Sequence, residues 1–207
     1  MTQITTVDFI KKFYNYKCTG GSSEEEISLA EKNLNLKFSH EYREILKTFG
    51  AVMIGSHELN GITKTPGINV VRETESFRKL SDFSKDLYVI ESLGIDFQYV
   101  LQNEQGEVFL GTPDKIEKIA DSIWDYILLD FKKNMTVESV FDFLKRTKIP
   151  RFYYSLGYSE DAICIEKTEN GWMVYNGERG SKFCKCIFDN ERDACEKFFM
   201  RVIDLDY

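Results

Sequence analysis

At 207 residues, with 43% hydrophobic and 14% aromatic content, the chain carries apolar area for one large core or two modest ones, which excludes a disordered protein. Its formal net charge of −7 opposes direct binding to nucleic acid, whose phosphates favour basic surfaces, and suits steering towards a basic partner. No apolar run approaches the roughly 20 residues of a membrane span, and Met1–Ile10 lacks the basic-then-apolar order of a secretion signal, so a cytoplasmic protein with reduced thiols is expected.

Phe9, Ile10, Phe13 and Tyr14 at helical spacing predict a short amphipathic helix after Thr6, ended by Gly20 and Gly21. Ser22 or Ser23, followed three residues later by Glu25 or Glu26, is a capping-box start, and Ile27, Ala30 and Leu34 form the stripe of the helix it opens. The next helix follows from Ser39, with Tyr42, Ile45, Leu46 and Phe49 on one face and Gly50 at its end, completing a helical hairpin. The glycines and Pro66 between Val52 and Gly67 predict irregular structure or short strands, and the spacing from Asn69 to Leu80 predicts a helix. Leu87–Ile90, Phe97–Leu101 and Glu107–Leu110 predict strands, the last two joined as a hairpin through Asn103–Gly106.

Thr112 as cap and Pro113 at the first helical position predict a long helix whose apolar stripe runs from Ile116 to Phe131. A further helix is expected from Thr136 to Arg146, with Val140, Phe141 and Leu144 inward, and Pro150 marks a break. Beyond it, Ala162–Lys167, Trp172–Asn176 and Lys182–Phe188 predict a three-strand meander. Asn190 then caps a closing helix with Ala194, Cys195, Phe198, Phe199, Val202 and Ile203 inward. The expected architecture is α+β, with a domain at 1–149 and a small three-strand and one-helix module at 150–207.

The stretch from Ser22 to Gly61 resembles the opening of the SUKH superfamily, the Smi/Knr-like fold of many bacterial immunity proteins. The resemblance is carried by Ile27, Ala30 and Glu31 on one helix, Tyr42-Arg43 with Leu46 on the next, Phe49-Gly50 at its end, and Glu58-Leu59-Asn60-Gly61 after it. The later strands, the Gly106 hairpin and the Trp124 helix follow in the family's order, so the resemblance covers about residues 1–145. One departure is Phe38-Ser39, where the family has Leu-Pro; Ser39 can cap the helix with its own hydroxyl. The tail from Arg151 lies outside the pattern and looks like an appended module of the kind that occurs in toxin–immunity loci. The resemblance implies a non-enzymatic protein that binds and neutralises a cognate toxin, often a nuclease or nucleic-acid deaminase, inside the cell that makes it. An intracellular scaffold or regulatory adaptor of the same superfamily is the alternative.

The residues themselves offer little to catalysis. His40, in the first turn of a helix, and His57, in a loop, read as surface histidines without a visible base–nucleophile pairing. No glycine pattern precedes a helix as a phosphate site requires, and no cofactor is expected. Cys164, Cys184, Cys186 and Cys195 lack a Cys-x-x-Cys spacing, and all four read as inward reduced thiols in preference to zinc ligands. Glu24-Glu25-Glu26 reads as acidic residues favoured by a helix N-terminus. Acidity and exposure select Glu58, Asp82, Asp86 and Glu104 as partner-binding candidates. In the tail, Trp172, Tyr175, Glu178 and Arg179 surround the turn at Gly177–Gly180 and are of the types enriched at interface hot spots or in charged pairs. The expected partner is a basic protein toxin, with neither nucleic acid nor membrane bound directly.

Overall fold

Each helix of the N-terminal half begins where a short polar side chain can accept the first free backbone N–H groups. In this computed structural model, which describes residues 4–80, 85–147 and 149–205, Thr5 caps α1 (Thr6–Phe13) and Ser23 caps α2 (Glu24–Leu34). Ser23 and Glu26 close a reciprocal capping box, which selects between the two serines left open by the spacing. Ser39 caps α3 (His40–Phe49), so the serine that replaces proline performs the expected task. Ile27, Ala30 and Leu34 of α2 and Tyr42, Ile45, Leu46 and Phe49 of α3 are all buried.

Contacts divide the chain into two compact units, Thr5–Leu129 and a second from Asp130 onward. In the first, β1 (Tyr16–Cys18), β2 (Val52–Ile54) and β3 (His57–Leu59) form an antiparallel three-stranded sheet. After α4 (Val70–Leu80), β4 (Tyr88–Ser92), β5 (Tyr99–Gln102), β6 (Val108–Gly111) and β7 (Ile116–Ala120) form a four-stranded antiparallel meander. The hairpin through Asn103–Gly106 is present, with Gly106 at φ 93° and its N–H donating to the Asn103 carbonyl. One core gathers Ile10, Leu34, Tyr42, Phe49, Val52, Tyr88 and Val108 from helices and both sheets.

The long helix expected from Ile116 to Phe131 does not form. Thr112 to Lys115 make a tight turn, the Thr112 N–H donating to the Lys115 carbonyl at 2.8 Å and the Lys115 N–H to Thr112 Oγ1 at 3.1 Å. Pro113 therefore serves a hairpin, and Ile116 and Glu117 pair with Gly111 and Leu110 as strand β7. Ser122 caps only α5 (Ile123–Ile127), which α6 (Leu129–Lys133) follows. Strand and helix placed end to end had merged into one apparent helical stripe.

In the second unit, Thr136 caps α7 (Val137–Lys145). A 3-10 turn at Arg151–Tyr153 leads into β8 (Tyr154–Leu156), β9 (Ala162–Thr168), β10 (Gly171–Glu178), β11 (Ser181–Phe188) and α8 (Glu191–Ile203). The sheet order is β11-β10-β9-β8, with β8 parallel to β9, so the tail has four strands where three were expected. β8 is three residues long and too short for its alternation to signal a strand. All six residues predicted to face inward from α8 are buried. Phe141 of α7 stacks on Phe198 of α8 with ring centroids 5.4 Å apart, and the Val137 N–H donates to Glu191, which groups α7 with the tail.

Candidate functional site

Most of the residues that carry the family resemblance turn inward and hold the scaffold together, Glu58 being exposed and Arg43 partly so. Glu31, on α2, is 2% exposed; it meets Arg43 Nη1 of α3 at 2.6 Å and Lys37 Nζ at 3.1 Å, and accepts the Phe38 N–H at 3.0 Å. The Tyr42 hydroxyl, wholly buried, donates to the Asn60 carbonyl at 2.7 Å, and Asn60 Nδ2 donates to the Val89 carbonyl. Burial pushes the Tyr42 phenol well above its ordinary range, so this hydroxyl stays a donor. Gly61 permits the same packing, because a Cβ there would lie 2.0 Å from the Ala51 nitrogen. These groups position the surface without presenting themselves to a partner.

A second buried polar cluster escaped the sequence analysis. Glu91, at the end of β4 and 4% exposed, accepts the Tyr126 hydroxyl at 2.8 Å and the Glu58 N–H at 2.9 Å, with His57 Nδ1 at 3.3 Å. Burial alone would raise its pKa, but hydrogen bonds from His57, the Glu58 N–H and Tyr126 hold it below the usual carboxylate value. His57 is therefore a half-buried partner of Glu91 on β3, stacked edge-on to Tyr126 at 4.7 Å, and not the surface loop histidine expected. The available signal was a carboxylate following the apolar run Tyr88-Val89-Ile90. His40 is exposed.

Among the exposed candidates, Asp86 and Glu104 come together. They line one cavity of about 270 Å³ with Leu36, Lys37 and Gln105, and Leu36, Lys37 and Glu104 also border a neighbouring concavity. Glu58 is exposed on β3 and lines a different cavity, of about 170 Å³, with Lys17, Cys18 and Met53. Asp82 lies outside the described residues.

In the tail, Glu178 and Arg179 are exposed at the β10–β11 turn, with Arg179 Nε 3.5 Å from Glu178 Oε1. Arg179 and Gly180 stand at φ 50° and 70°, and both of their N–H groups donate to the Glu160 carboxylate. Trp172 is half-buried. Tyr175 is wholly buried and donates to Glu166 Oε2 at 2.8 Å, so its side chain is not offered to a partner. Its inward course follows from packing with Ala162 and Cys164.

Cys164 and Cys195 are buried, as expected, but Cys184 is exposed and Cys186 half-buried. The cause is a bulge: Val174 pairs with Cys186 and Asn176 with Phe183, leaving Cys184 and Lys185 opposite Tyr175 alone, with Cys184 at φ 50°. That extra residue breaks the alternation on which the inward assignment rested. Among the described residues, no group of three or more His, Cys, Asp or Glu side chains is placed to hold a metal ion. No helix there is long and apolar enough to cross a membrane.

Residues 7–132 match the SUKH_5 family, SMI1-KNR4 cell-wall, within the stretch where the resemblance was seen, and the tail is uncovered. No curated protein matches the chain at a significant level. The match spans more than half of the chain and contains the Glu31–Arg43 pair, the Tyr42–Asn60 bond and Gly61, so the chain belongs to the SUKH (SMI1-KNR4) family, a family of immunity proteins in polymorphic toxin systems.

Proposed function

We propose that this protein is a non-catalytic immunity protein that binds a cognate toxin stoichiometrically, in the cytoplasm of the cell that makes both, and blocks its action on nucleic acid. Family membership is the observation that carries this reading. A nuclease or nucleic-acid deaminase is the toxin class that suits it, because such toxins are basic where they meet phosphates. Both parts of the chain are acidic, with 19 basic against 23 acidic residues over 1–150 and 8 against 11 over 151–207. Complementary charge speeds encounter and favours occupation of the toxin's nucleic-acid surface. Asp86 and Glu104, exposed around one cavity, add to this negative charge.

The test is co-expression with the toxin domain encoded beside this gene. Survival of cells that otherwise die, together with co-purification of the two proteins, supports the reading. Cells that die despite abundant soluble protein would sink it and favour an adaptor role without a toxin partner.

A further inference from the structure

The loop from Leu93 to Gln98 joins β4 to β5 and is closed by two backbone bonds. The Leu93 N–H donates to the Gln98 carbonyl at 3.1 Å, and the Gln98 N–H donates to the Ile95 carbonyl at 2.8 Å. The two residues inside that last turn, Asp96 and Phe97, stand at φ 45° and 56°, the left-handed signs of a type I′ turn. Such turns favour Asn or Asp first and glycine second. The Arg179-Gly180 turn of this chain obeys the second preference, but here a phenylalanine occupies the glycine position. A bulky side chain at positive φ is sterically disfavoured, and burial does not offset it, since Phe97 is 65% exposed. Ile95, two residues earlier, is 63% exposed.

Strand register fixes the surroundings of this tip. Tyr99 pairs with Ser92 and with Gly111, and Gly111 pairs with Ile116, so the loop and the Thr112–Lys115 turn leave the sheet at the same end. Asp96 and Asp114 are exposed there, and the neighbouring Lys115 pairs with Glu117 at 2.5 Å. This end of the sheet thus presents two large apolar side chains beside two carboxylates. Backbone strain held at an exposed position recurs at ligand clamps and other functional sites.

We propose that this loop is the anchor by which the domain docks on a basic protein partner, with Ile95 and Phe97 entering an apolar pocket and Asp96 and Asp114 meeting cations at its rim. The proposal rests on the toxin-binding reading and names a surface for it. A second copy of the chain is a poor occupant: near a two-fold axis the same residues face one another, which would oppose like carboxylates.

The probe is the adjacent-gene toxin domain, inactivated at its catalytic residue, immobilised and titrated with wild-type protein, Ile95→Ala, Phe97→Ala, the double variant and Phe97→Gly. Each alanine variant is expected to weaken binding about 10-fold or more and the double variant about 100-fold, as for central hot-spot residues. Phe97→Gly is expected to bind as weakly as Phe97→Ala while its melting temperature rises, since it relieves the turn; a purely structural Phe97 would lower both. Wild-type protein that binds while the double variant binds within about twofold overturns the proposal and leaves the toxin-binding function standing. Wild-type protein that binds no such toxin overturns both. A wild-type dimer converted to monomer by the double variant would assign the loop to self-association and also overturn it.

Discussion

Replacing Glu31 with alanine should unfold the first unit far more readily while leaving partner recognition intact in whatever remains folded. The carboxylate is 2% exposed and is held by Arg43 at 2.6 Å, Lys37 at 3.1 Å and the buried Phe38 N–H at 3.0 Å. Lys37 is 66% exposed, so its share is screened to about 0–1 kcal/mol. Removing one partner of a buried pair costs about 3–5 kcal/mol, and stranding the Phe38 N–H, about 1–3 kcal/mol, is part of that loss. A total near 4 kcal/mol, divided by a urea m-value of about 2 kcal/mol/M, lowers the unfolding midpoint by roughly 2 M. Glu31→Gln keeps an acceptor for the Phe38 N–H and should lose about half as much. Urea titration followed by tryptophan fluorescence measures both variants. A loss below about 1 kcal/mol for Glu31→Ala would show that Glu31 and Arg43 do not hold α2 to α3, and would refute the scaffold assignment of the family residues.

Glu91 makes stability depend on pH. Its folded pKa is depressed, so its contribution is fully present above the unfolded value of about 4.3 and is lost as pH falls through the lower folded value. Unfolding free energies measured from neutral pH downwards should fall more steeply for wild type than for Glu91→Gln; parallel slopes would remove this group from the acid response. Gly61→Ala brings a Cβ to 2.0 Å from the Ala51 nitrogen and should cost roughly 3 kcal/mol. Gly67→Ala, where space is open and only φ 84° is unfavourable, should cost about 1 kcal/mol, and equal losses would contradict the packing explanation. Burial pushes the Cys195 thiol up to about 12 and raises Cys164 as well. In the native protein, a thiol reagent should therefore modify Cys18 and Cys184 and reach Cys164 and Cys195 only on unfolding; modification of Cys195 in native protein would refute its placement.

Side chains that act within one helix were legible in the sequence. Ser23, Ser39 and Asn190 cap helices as their positions suggested, Thr136, expected as a first helical residue, caps its helix instead, and the stripes of α2, α3 and α8 became core without exception. Long-range pairing was less legible. Ile116 and Ile119 fit a helical period with Ile123 and Ile127, yet hydrogen bonds to β6 took the first two into a strand. The short strands β1 and β8 are defined by their neighbours and not by their own alternation. The compact units part between Leu129 and Asp130, whereas the change of composition lies near Pro150, because the Phe141–Phe198 stack brings α7 to the tail's helix.

The surface followed the same pattern. Acidity selected Asp86 and Glu104, which share a cavity, but Tyr175 entered the core because a strand position with an aromatic residue satisfies burial and interface equally well. Phe97 reads as the first residue of a strand and Ile95 lies just before it, yet the strand begins only at Tyr99. Only the left-handed turn at Asp96 and Phe97 turns those side chains outward.

The central claim, that this chain acts by stoichiometric binding, is tested most directly by titrating the purified protein into the adjacent-gene toxin while recording both heat and residual toxin activity. The expected result is saturation at one molecule per toxin, with activity falling in proportion to occupancy and affinity weakening as salt rises. Inhibition by far less than one equivalent would indicate turnover and a catalytic protein, and the absence of heat and inhibition at any ratio would contradict toxin binding itself.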